Sequence, residues 1–230
     1  IITHVILTLK LKMLLIYLKP RNTYFNNLAE KDTYKTIDTA PECVLFKNKN
    51  SKFIGYAFPV LNEDDIKYHL EQLKKEYHAA RHWCYAYQLG TETTTYRAND
   101  DGEPTNSAGI PIYGQIQSFE VTNILIVVVR YFGGVKLGVG GLISAYRTAA
   151  QMVLENSVIT EKTININYLI SFDYANMNTV MRVIKEKQLN IIEQKLEMDC
   201  QITISVRKKE SDSVFEIFNR LYKIDIKKIN

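Results

Sequence analysis

Two groups of residues that could do chemistry lie close together in the stretch 99–147. The first is an acidic turn at 100–104, with the sequence DDGEP, whose carboxylates could bind a cation or transfer a proton. The second is a loop at 133–141 that holds five of the ten glycines in the chain. Glycine at this density indicates a backbone that adopts positive φ or that another group approaches closely. The glycines of this candidate site are Gly133, Gly134, Gly138, Gly140 and Gly141.

The acidic turn supports two interpretations. The ionisable residues that could take part are Asp100, Asp101 and Glu103 of the turn and the nearest histidine, His82. These groups could hold Mg²⁺ or act as acid and base. Alternatively, the Asp side chains satisfy N–H groups of the turn itself and accept from Arg81 or Arg97. The second interpretation is favoured because an oxygen-ligand metal site needs ligands from several segments. We therefore predict no metal ion, no cofactor and no catalytic residue.

The glycine loop lies between an apolar strand and the start of a helix, which is a geometry that binds anions. The N–H groups at the start of the helix would point outward, and Lys136 would add a positive charge. Neither the P-loop pattern nor the dinucleotide-binding pattern is present. Two interpretations remain open. The glycines either allow a tight strand-to-helix joint, or they allow contact with a phosphate backbone that involves Arg130, Lys136 and Arg147.

Aromatic residues flank the same loop. Tyr131 and Phe132 end the strand, and Tyr146 lies on the following helix. Together with Arg130 and Arg147 they could form a stacking surface for single-stranded nucleic acid. The alternative is an ordinary aromatic core, which is the commoner role of rings at strand ends.

A third candidate pair is His82 with Cys84. The two residues are two apart on a predicted strand and would share one face. Nothing in the sequence indicates a lowered thiol pKa, and the GxSxG pattern is absent. Nucleophilic catalysis is therefore not predicted.

Composition narrows the class of protein. The three cysteines, Cys43, Cys84 and Cys200, are far apart and form no CxxC pair, which argues against a structural zinc site. We expect reduced thiols and a cytoplasmic location. A net charge of +4, from 29 basic and 25 acidic residues, permits an anionic partner but does not require one.

The first 32 residues are predicted to be an N-terminal leader or extension. They begin without Met, and their apolar run is interrupted by Lys10, Lys12 and Lys19. Such a run is too short and too charged to span a bilayer, so we predict no membrane partner.

The elements that position the two groups follow from hydrophobic periodicity. A helix begins after Asn62, which is a favourable N-cap, and the run 124–129 is a central strand buried on both faces. Pro111 weakens the middle of a short predicted helix. The predicted elements are strands at 33–37, 43–46, 53–60 and 81–89, a polar loop or strand at 91–97, and helices from 62, at 107–116 and at 139–156.

After residue 156 the pattern changes to β-α-β-β-α-β over about 70 residues, which is typical of a ferredoxin-like module. The first helix of this module presents Met177, Val180, Met181 and Ile184 toward the core. The second helix begins at its N-cap, Ser211. The basic run 207–209 is predicted to be a solvated turn. The predicted elements are strands at 163–172, 189–196, 198–206 and 224–229, and helices at 176–187 and 211–221.

Three motifs closely resemble the YigZ/IMPACT family: RHWCYAY at 81–87, NDDGEPTNSAGIPI at 99–112 and VVVRYFGGVKLGVGGLISAY at 127–146. The resemblance implies an α+β protein of two domains. Residues 33–157 would form the IMPACT-type N-terminal domain, similar to the βαβ fold of a ribosomal-protein second domain and of domain IV of elongation factor G. Residues 160–230 would form the ferredoxin-like C-terminal domain.

The motifs that carry the resemblance contain all the predicted site residues except Arg147, which is included for its positive charge near the glycine loop. We predict a ligand- or RNA-binding set that consists of Arg81, His82, Asp100, Asp101, Glu103, Arg130, Tyr131, Phe132, Gly133, Gly134, Lys136, Gly138, Gly140, Gly141 and Arg147.

Three functions remain as hypotheses. The first is a non-enzymatic RNA- or ribosome-associated protein that regulates translation, which is what the resemblance implies. The second is a hydrolase that acts on a phosphorylated or peptidic small molecule through His82, Asp101 and Glu103. The third is a regulator that binds a protein partner through the exposed strands of the second domain.

Overall fold

The computed structural model describes residues 32–229 of the 230-residue chain. Apart from Asp32, the predicted N-terminal extension lies outside the described residues. The described part contains sheets of five, four and two strands together with five α-helices, which confirms the predicted α+β class. None of the helices in this part of the chain is long and apolar enough to cross a membrane.

The five-stranded sheet carries the candidate site. Its strands are β2 (Val44–Asn48), β3 (Ser51–Pro59), β4 (His82–Leu89), β5 (Thr95–Asn99) and β6 (Ile124–Tyr131). Their order in the sheet is β2-β3-β6-β4-β5, and each neighbouring pair is antiparallel. Strand β6 is central, and every residue from Ile124 to Arg130 is buried, so the predicted central strand is confirmed.

Helices cover both faces of this sheet. They are α1 (Glu63–Glu76), α2 (Gly109–Ser118) and α3 (Gly138–Glu155). Helices α2 and α3 pack on one face around a core that includes Phe53 and Ile126, whereas α1 covers Val127 on the other face. Because side chains alternate along β6, Arg130 lies on the α3 face and Tyr131 on the α1 face.

Helix α2 begins two residues later than predicted. The backbone N–H and the hydroxyl of Ser107 both donate to the carbonyl oxygen of Pro104, at 3.0 and 2.6 Å, so Ser107 belongs to the preceding turn. Pro111 is then the third residue of the helix. An N–H at that position has no partner within the helix, so proline costs no hydrogen bond there.

A separate two-stranded sheet was not predicted. Strand β1 (Thr33–Ile37) pairs antiparallel with β7 (Ile159–Thr163), which follows α3. The sequence of β7, ITEKT, lacks a clear apolar alternation, and its partner is more than a hundred residues earlier in the chain. A pairing of this kind leaves no local signal in the sequence.

The C-terminal elements follow the predicted β-α-β-β-α-β order. They are β8 (Asn165–Asp173), α4 (Met177–Glu186), β9 (Asn190–Lys195), β10 (Asp199–Arg207), α5 (Lys208–Asn219) and β11 (Ile224–Ile229). Their sheet has the strand order β11-β8-β10-β9, entirely antiparallel, and both helices pack on one of its faces. This confirms the ferredoxin-like fold, whereas the domain limits 33–157 and 160–230 stay a prediction.

Two side-chain predictions in these helices are wrong. Helix α5 begins at Lys208, so Ser211 is a buried residue inside the helix and not its N-cap. In α4, Met181 is exposed and Val183 is buried instead. The core-facing stripe of α4 is therefore rotated slightly from the predicted one, because the helical repeat of 3.6 residues allows either assignment on a short helix.

The basic run at 207–209 is not a solvated turn. Arg207 Nε lies 2.6 Å from Asp32 Oδ2, just before β1. Lys208 Nζ lies 3.0 Å from Glu92 Oε1, in the loop between β4 and β5. These ion pairs connect the C-terminal sheet to segments far away in the sequence, which a local charge pattern cannot reveal.

Candidate functional site

The acidic turn connects β5 to α2 and is organised by Asp100. Its Oδ1 accepts the backbone N–H groups of Ala108, at 2.9 Å, and Gly109, at 2.8 Å. Its Oδ2 accepts from the N–H of Asn106 at 2.8 Å. A carboxylate with three N–H donors fixes the conformation of the turn and the entry into α2. The interpretation in which an Asp side chain satisfies the turn is therefore confirmed.

Asp101 connects the same turn to β4. Its carboxylate accepts from the N–H of Trp83 at 2.7 Å, and its carbonyl oxygen lies 2.8 Å from Nδ1 of His82. Asp101 itself has a positive φ of 43°, and Asn99 Oδ1 accepts from its N–H at 2.7 Å. Nδ1 of His82 and the Asp101 carboxylate thus each hold the acidic turn against β4.

The arginine that pairs with the turn is Arg130 and not the predicted Arg81 or Arg97. Arg130 Nη1 lies 2.5 Å from Glu103 Oε1, and both side chains are almost completely buried. The hydroxyl of Tyr146 donates to the same carboxylate oxygen at 2.7 Å. A buried ion pair needs such additional hydrogen bonds to offset the cost of desolvation.

Cys84 completes this buried network. Its Sγ lies 2.9 Å from the carbonyl oxygen of Asp100 and 3.2 Å from Tyr146 Oη. Burial raises the pKa of the Cys84 thiol and also that of the Tyr146 hydroxyl. Both groups are therefore protonated at neutral pH, and a thiolate nucleophile at Cys84 is disfavoured.

The proposed aromatic stacking surface is wrong in part. Tyr146 is completely buried, and its ring packs edge-on against Phe53 at 5.1 Å between centroids. Arg130 is 5% exposed, because it lies on the sheet face that α3 covers. Tyr131 is half-buried on the opposite face of the sheet, so Phe132, which is 46% exposed, is the ring available to a partner.

Local geometry explains four of the five glycines in the loop. A Cβ atom on Gly133 would lie 2.1 Å from the backbone carbon of Asn50, and Gly134 and Gly138 have φ values of +85° and +72°. A Cβ on Gly141 would lie 3.1 Å from Cβ of Leu137. Gly140 differs, because a Cβ there would meet nothing within 4 Å and its φ is not positive. The interpretation of the loop as a tight joint thus accounts for most of its glycines but not for Gly140.

A cavity of about 330 Å³ opens between the acidic turn and the glycine loop. It brings together five of the predicted site residues: Glu103, Arg130, Phe132, Lys136 and Gly138. Its other lining residues are apolar and were not predicted: Pro104, Leu137, Val139 and Leu142. The remaining predicted residues do not line the cavity: Arg81, His82, Asp100, Asp101, Tyr131, Gly133, Gly134, Gly140, Gly141 and Arg147.

Sequence analysis also missed three lysines that, together with the predicted Lys136, form an exposed group at the end of the sheet where the glycine loop begins. The β2–β3 hairpin contacts the glycine loop, since Ser51 Oγ accepts from the N–H of Gly133 at 3.1 Å. Within residues 32–229, none of these exposed lysines takes part in an ion pair. The charge run KNKNSK at 47–52 was the signal that could have revealed them. We call this group the lysine-rich edge, and it consists of Lys47, Lys49, Lys52 and Lys136.

The lysine-rich edge is unfavourable for folding. Lys47 and Lys52 are directly opposite each other in the register of β2 and β3. Like charges in that position destabilise a sheet. Lys52 is also opposite Tyr131, at the end of β6 where the glycine loop begins, so its side chain lies on the α1 face of the sheet and not on the cavity face. These opposed lysines therefore lower the stability of the β2–β3 hairpin.

The protein thus has an α+β fold in which the five-stranded sheet carries a cavity and the lysine-rich edge at the end of its central strand. The profile of the Impact N-terminal domain matches residues 49–154, which include both the cavity and most of the edge. The chain is 31% identical over 197 residues to the IMPACT family member YvyE of Bacillus subtilis, covering 85% of this chain and 90% of that protein. The chain therefore belongs to the IMPACT family.

Two further similarities agree with this assignment. The IMPACT family member YigZ of Escherichia coli is 32% identical over 146 residues, which are 63% of this chain and 72% of that protein. A crystal structure of a hypothetical protein superposes with a TM-score of 0.64 at 23% identity, and the match covers 86% of this chain and 98% of that chain. The second similarity concerns the fold alone.

Proposed function

We propose that this protein is a non-enzymatic, RNA- or ribosome-associated regulator of translation that contacts RNA through the lysine-rich edge. The observation that carries the proposal is the group of four exposed lysines without carboxylate partners in the described part of the chain. The resemblance of the three sequence motifs to the YigZ/IMPACT family supports a role in translation.

Electrostatics explains why this edge suits RNA. Each lysine that neutralises a phosphate releases a condensed counterion, which gives affinity without requiring a particular sequence. The net charge of the chain is only +4, so binding depends on local clustering more than on the overall field. Phe132, exposed between Arg130 and the glycine loop, adds a ring on which an unpaired base can stack.

The hydrolase hypothesis is less well supported by the geometry. His82, Asp101 and Glu103 each have a hydrogen-bond partner that serves the structure, and Glu103 is neutralised by Arg130. A general acid or base must be free to reach its substrate. These contacts support a structural role for the three residues in the acidic turn.

The protein-binding hypothesis keeps one supporting observation. Strand β9 is an edge strand of the C-terminal sheet, and exposed apolar side chains lie along it and in the following turn: Ile192, Leu196 and Met198. An edge strand with exposed apolar groups can pair with a strand of another protein. Partners that survive nuclease treatment in a pull-down, and that Ile192→Asp with Met198→Asp abolishes, would favour this second function.

The RNA proposal is tested with a charge-reversal pair. Lys49→Glu combined with Lys52→Glu should weaken the binding of a labelled single-stranded RNA at least tenfold. The slope of log affinity against log salt should also become shallower, by about 0.7 for each phosphate that is no longer neutralised. Filter binding between about 50 and 200 mM salt gives both quantities, and co-sedimentation with ribosomes gives a second readout.

The matched control is Lys185→Glu with Lys187→Glu. Both of these lysines are exposed, and they lie on or directly after α4, away from the five-stranded sheet. The control has the same net charge as the test variant, so it separates local contact from the overall field. Equal loss of affinity in both variants, or no loss in the first, would contradict the proposal.

A further inference from the structure

Helix α3 begins without the usual side-chain acceptor. Its N-cap residue is Leu137, which makes no side-chain hydrogen bond, and no acidic residue lies in the first turn. The first N–H groups of an α-helix have no partner within the helix, and they carry the positive end of the helix dipole. In α3 these groups lie in the segment that borders the cavity through Gly138 and Val139.

Gly140 keeps this helix start open. It is the third residue of α3, a position where Asp or Glu would stabilise the helix. Glycine is a poor helix former, and here neither a positive φ nor a close contact with the described residues requires it. Gly140 does not itself line the cavity, but it directly follows Gly138 and Val139, which do, and it adds no side chain to the first turn.

The floor of the cavity supplies an independent sign of a ligand. Arg130 is more than nine-tenths buried, and within the described residues its Nε has no hydrogen-bond partner. Its Nη1 is bonded to Glu103, whose carboxylate also accepts from Tyr146, so the one negative charge of the cavity is already neutralised. A buried donor without an acceptor is costly. Because Arg130 lines the cavity, an acceptor that enters the cavity would approach this guanidinium. With Lys136 at the rim, the cavity attracts an anion.

The walls of the cavity specify more than an anion. Apart from the charged residues they are apolar, and they include Pro104, Val139 and Leu142. The exposed ring of Phe132 lies 5.6 Å from Cζ of Arg130. At about 330 Å³ the cavity suits one small ligand that has a flat or apolar part and a charged part.

We propose that the cavity binds a single unpaired nucleotide of an RNA strand. Its phosphate accepts hydrogen bonds from the N–H groups at the start of α3 and forms an ion pair with Lys136. Its base packs on Phe132 against the apolar wall. This inference rests on the proposed function, and it adds that the protein selects single-stranded over double-stranded RNA, because a paired base cannot enter the cavity.

The test is Gly140→Asp compared with Gly140→Asn. The two side chains have nearly the same size, and neither meets an obstacle within 4 Å at its Cβ. The Asp carboxylate stabilises the helix start but repels a phosphate there. We expect Gly140→Asp to lower the affinity for a single-stranded oligouridylate at least tenfold with an unchanged or higher Tm, and Gly140→Asn to lower it less than threefold.

Two further measurements make the result specific. Phe132→Ala should weaken single-stranded binding at least fivefold, as expected for the loss of one stacked base. Binding of an RNA duplex of equal charge, which uses the lysine-rich edge, should change less than twofold in Gly140→Asp and in Phe132→Ala. Titration of uridine monophosphate should shift the amide NMR signals of residues 138–141 in the wild type and not in Gly140→Asp.

The outcomes distinguish the cavity proposal from the proposed function. If the Gly140 variants bind RNA like the wild type while Lys49→Glu with Lys52→Glu fails to bind, the cavity proposal is wrong and the proposed function stands. If the wild type binds no RNA, the proposed function itself fails. If a peptide carboxylate displaces RNA or shifts the same amides more strongly than uridine monophosphate, the cavity binds peptide termini and the nucleotide proposal is overturned.

Discussion

The starts of α1 and α3 solve the same problem in opposite ways. At α1, Asn62 Oδ1 accepts from the N–H groups of Asp64 and Asp65, each at 2.9 Å, and acidic residues fill the first turn. At α3, a leucine precedes three glycines within four residues, and no side chain caps the helix. The chain thus satisfies one positive helix end itself and leaves the other open beside a cavity and a basic edge. This difference supports the proposal that the start of α3 binds an external anion.

The largest expected effect concerns the network under α3. Arg130→Met leaves Glu103 buried without its cation, which should lower the free energy of unfolding by about 3–5 kcal/mol. Urea denaturation at pH 7 measures this loss. A loss below about 1 kcal/mol in the free energy of unfolding would mean that water reaches Glu103. The cavity would then lack the buried, neutral ion pair that distinguishes the surroundings of the α3 start from those of the α1 start.

The pH dependence of stability tests the same network. The folded pKa of Cys84 is raised above its ordinary value of 9.0 by burial. Above pH 9 the unfolded chain releases this proton while the folded protein retains it, so stability is fully present below pH 9 and falls as the pH rises. One such group lowers the free energy of unfolding by at most about 1.4 kcal/mol per pH unit.

A cysteine variant provides the check. Cys84→Ala should make the decline above pH 9 shallower. Urea denaturation in steps of half a pH unit measures the slope for this variant and for the wild type. Parallel slopes for Cys84→Ala and the wild type would show that another group causes the decline.

Removal of the cap at α1 has a smaller effect. Asn62→Ala should cost about 1 kcal/mol, because two first-turn N–H groups lose their acceptor. RNA affinity should not change, since α1 lies on the opposite face of the sheet from the cavity. A stability loss accompanied by weaker RNA binding would contradict the division of roles between the two helix starts.

The smallest effect has the opposite sign. Gly140→Ala should raise the free energy of unfolding by roughly 0.5–1 kcal/mol, because alanine is the better helix former and the position has space for a Cβ. Thermal denaturation measures the gain. A loss of stability would show that Gly140 serves the fold, and the comparison between the two helix starts would then lose its main evidence.

Local patterns predicted much of the fold correctly. The run of apolar β-prone residues in β6, the cap at Asn62 and the alternation of strands and helices after 156 all depend on neighbours in sequence. The predictions of an exposed stacking surface that includes Tyr146 and of a solvated turn at 207–209 failed for the opposite reason. Each of those side chains is buried or paired by a segment 27 or more residues away, as in the pairs Arg130–Glu103 and Arg207–Asp32.

The amino-acid sequence alone was sufficient to establish the family, the α+β class, the order of most strands and helices along the chain, and the closeness of the acidic turn and the glycine loop. Those properties are encoded in motifs and in local periodicity. The folded structure was needed to show that the acidic residues stabilise the turn and that the β2–β3 hairpin brings three lysines to the glycine loop. It was also needed to show that neither backbone conformation nor a close contact with the described residues requires glycine at position 140. Each of these depends on which groups come into contact after folding. Desolvation and long-range strand pairing determine those contacts, and both act only in the packed chain.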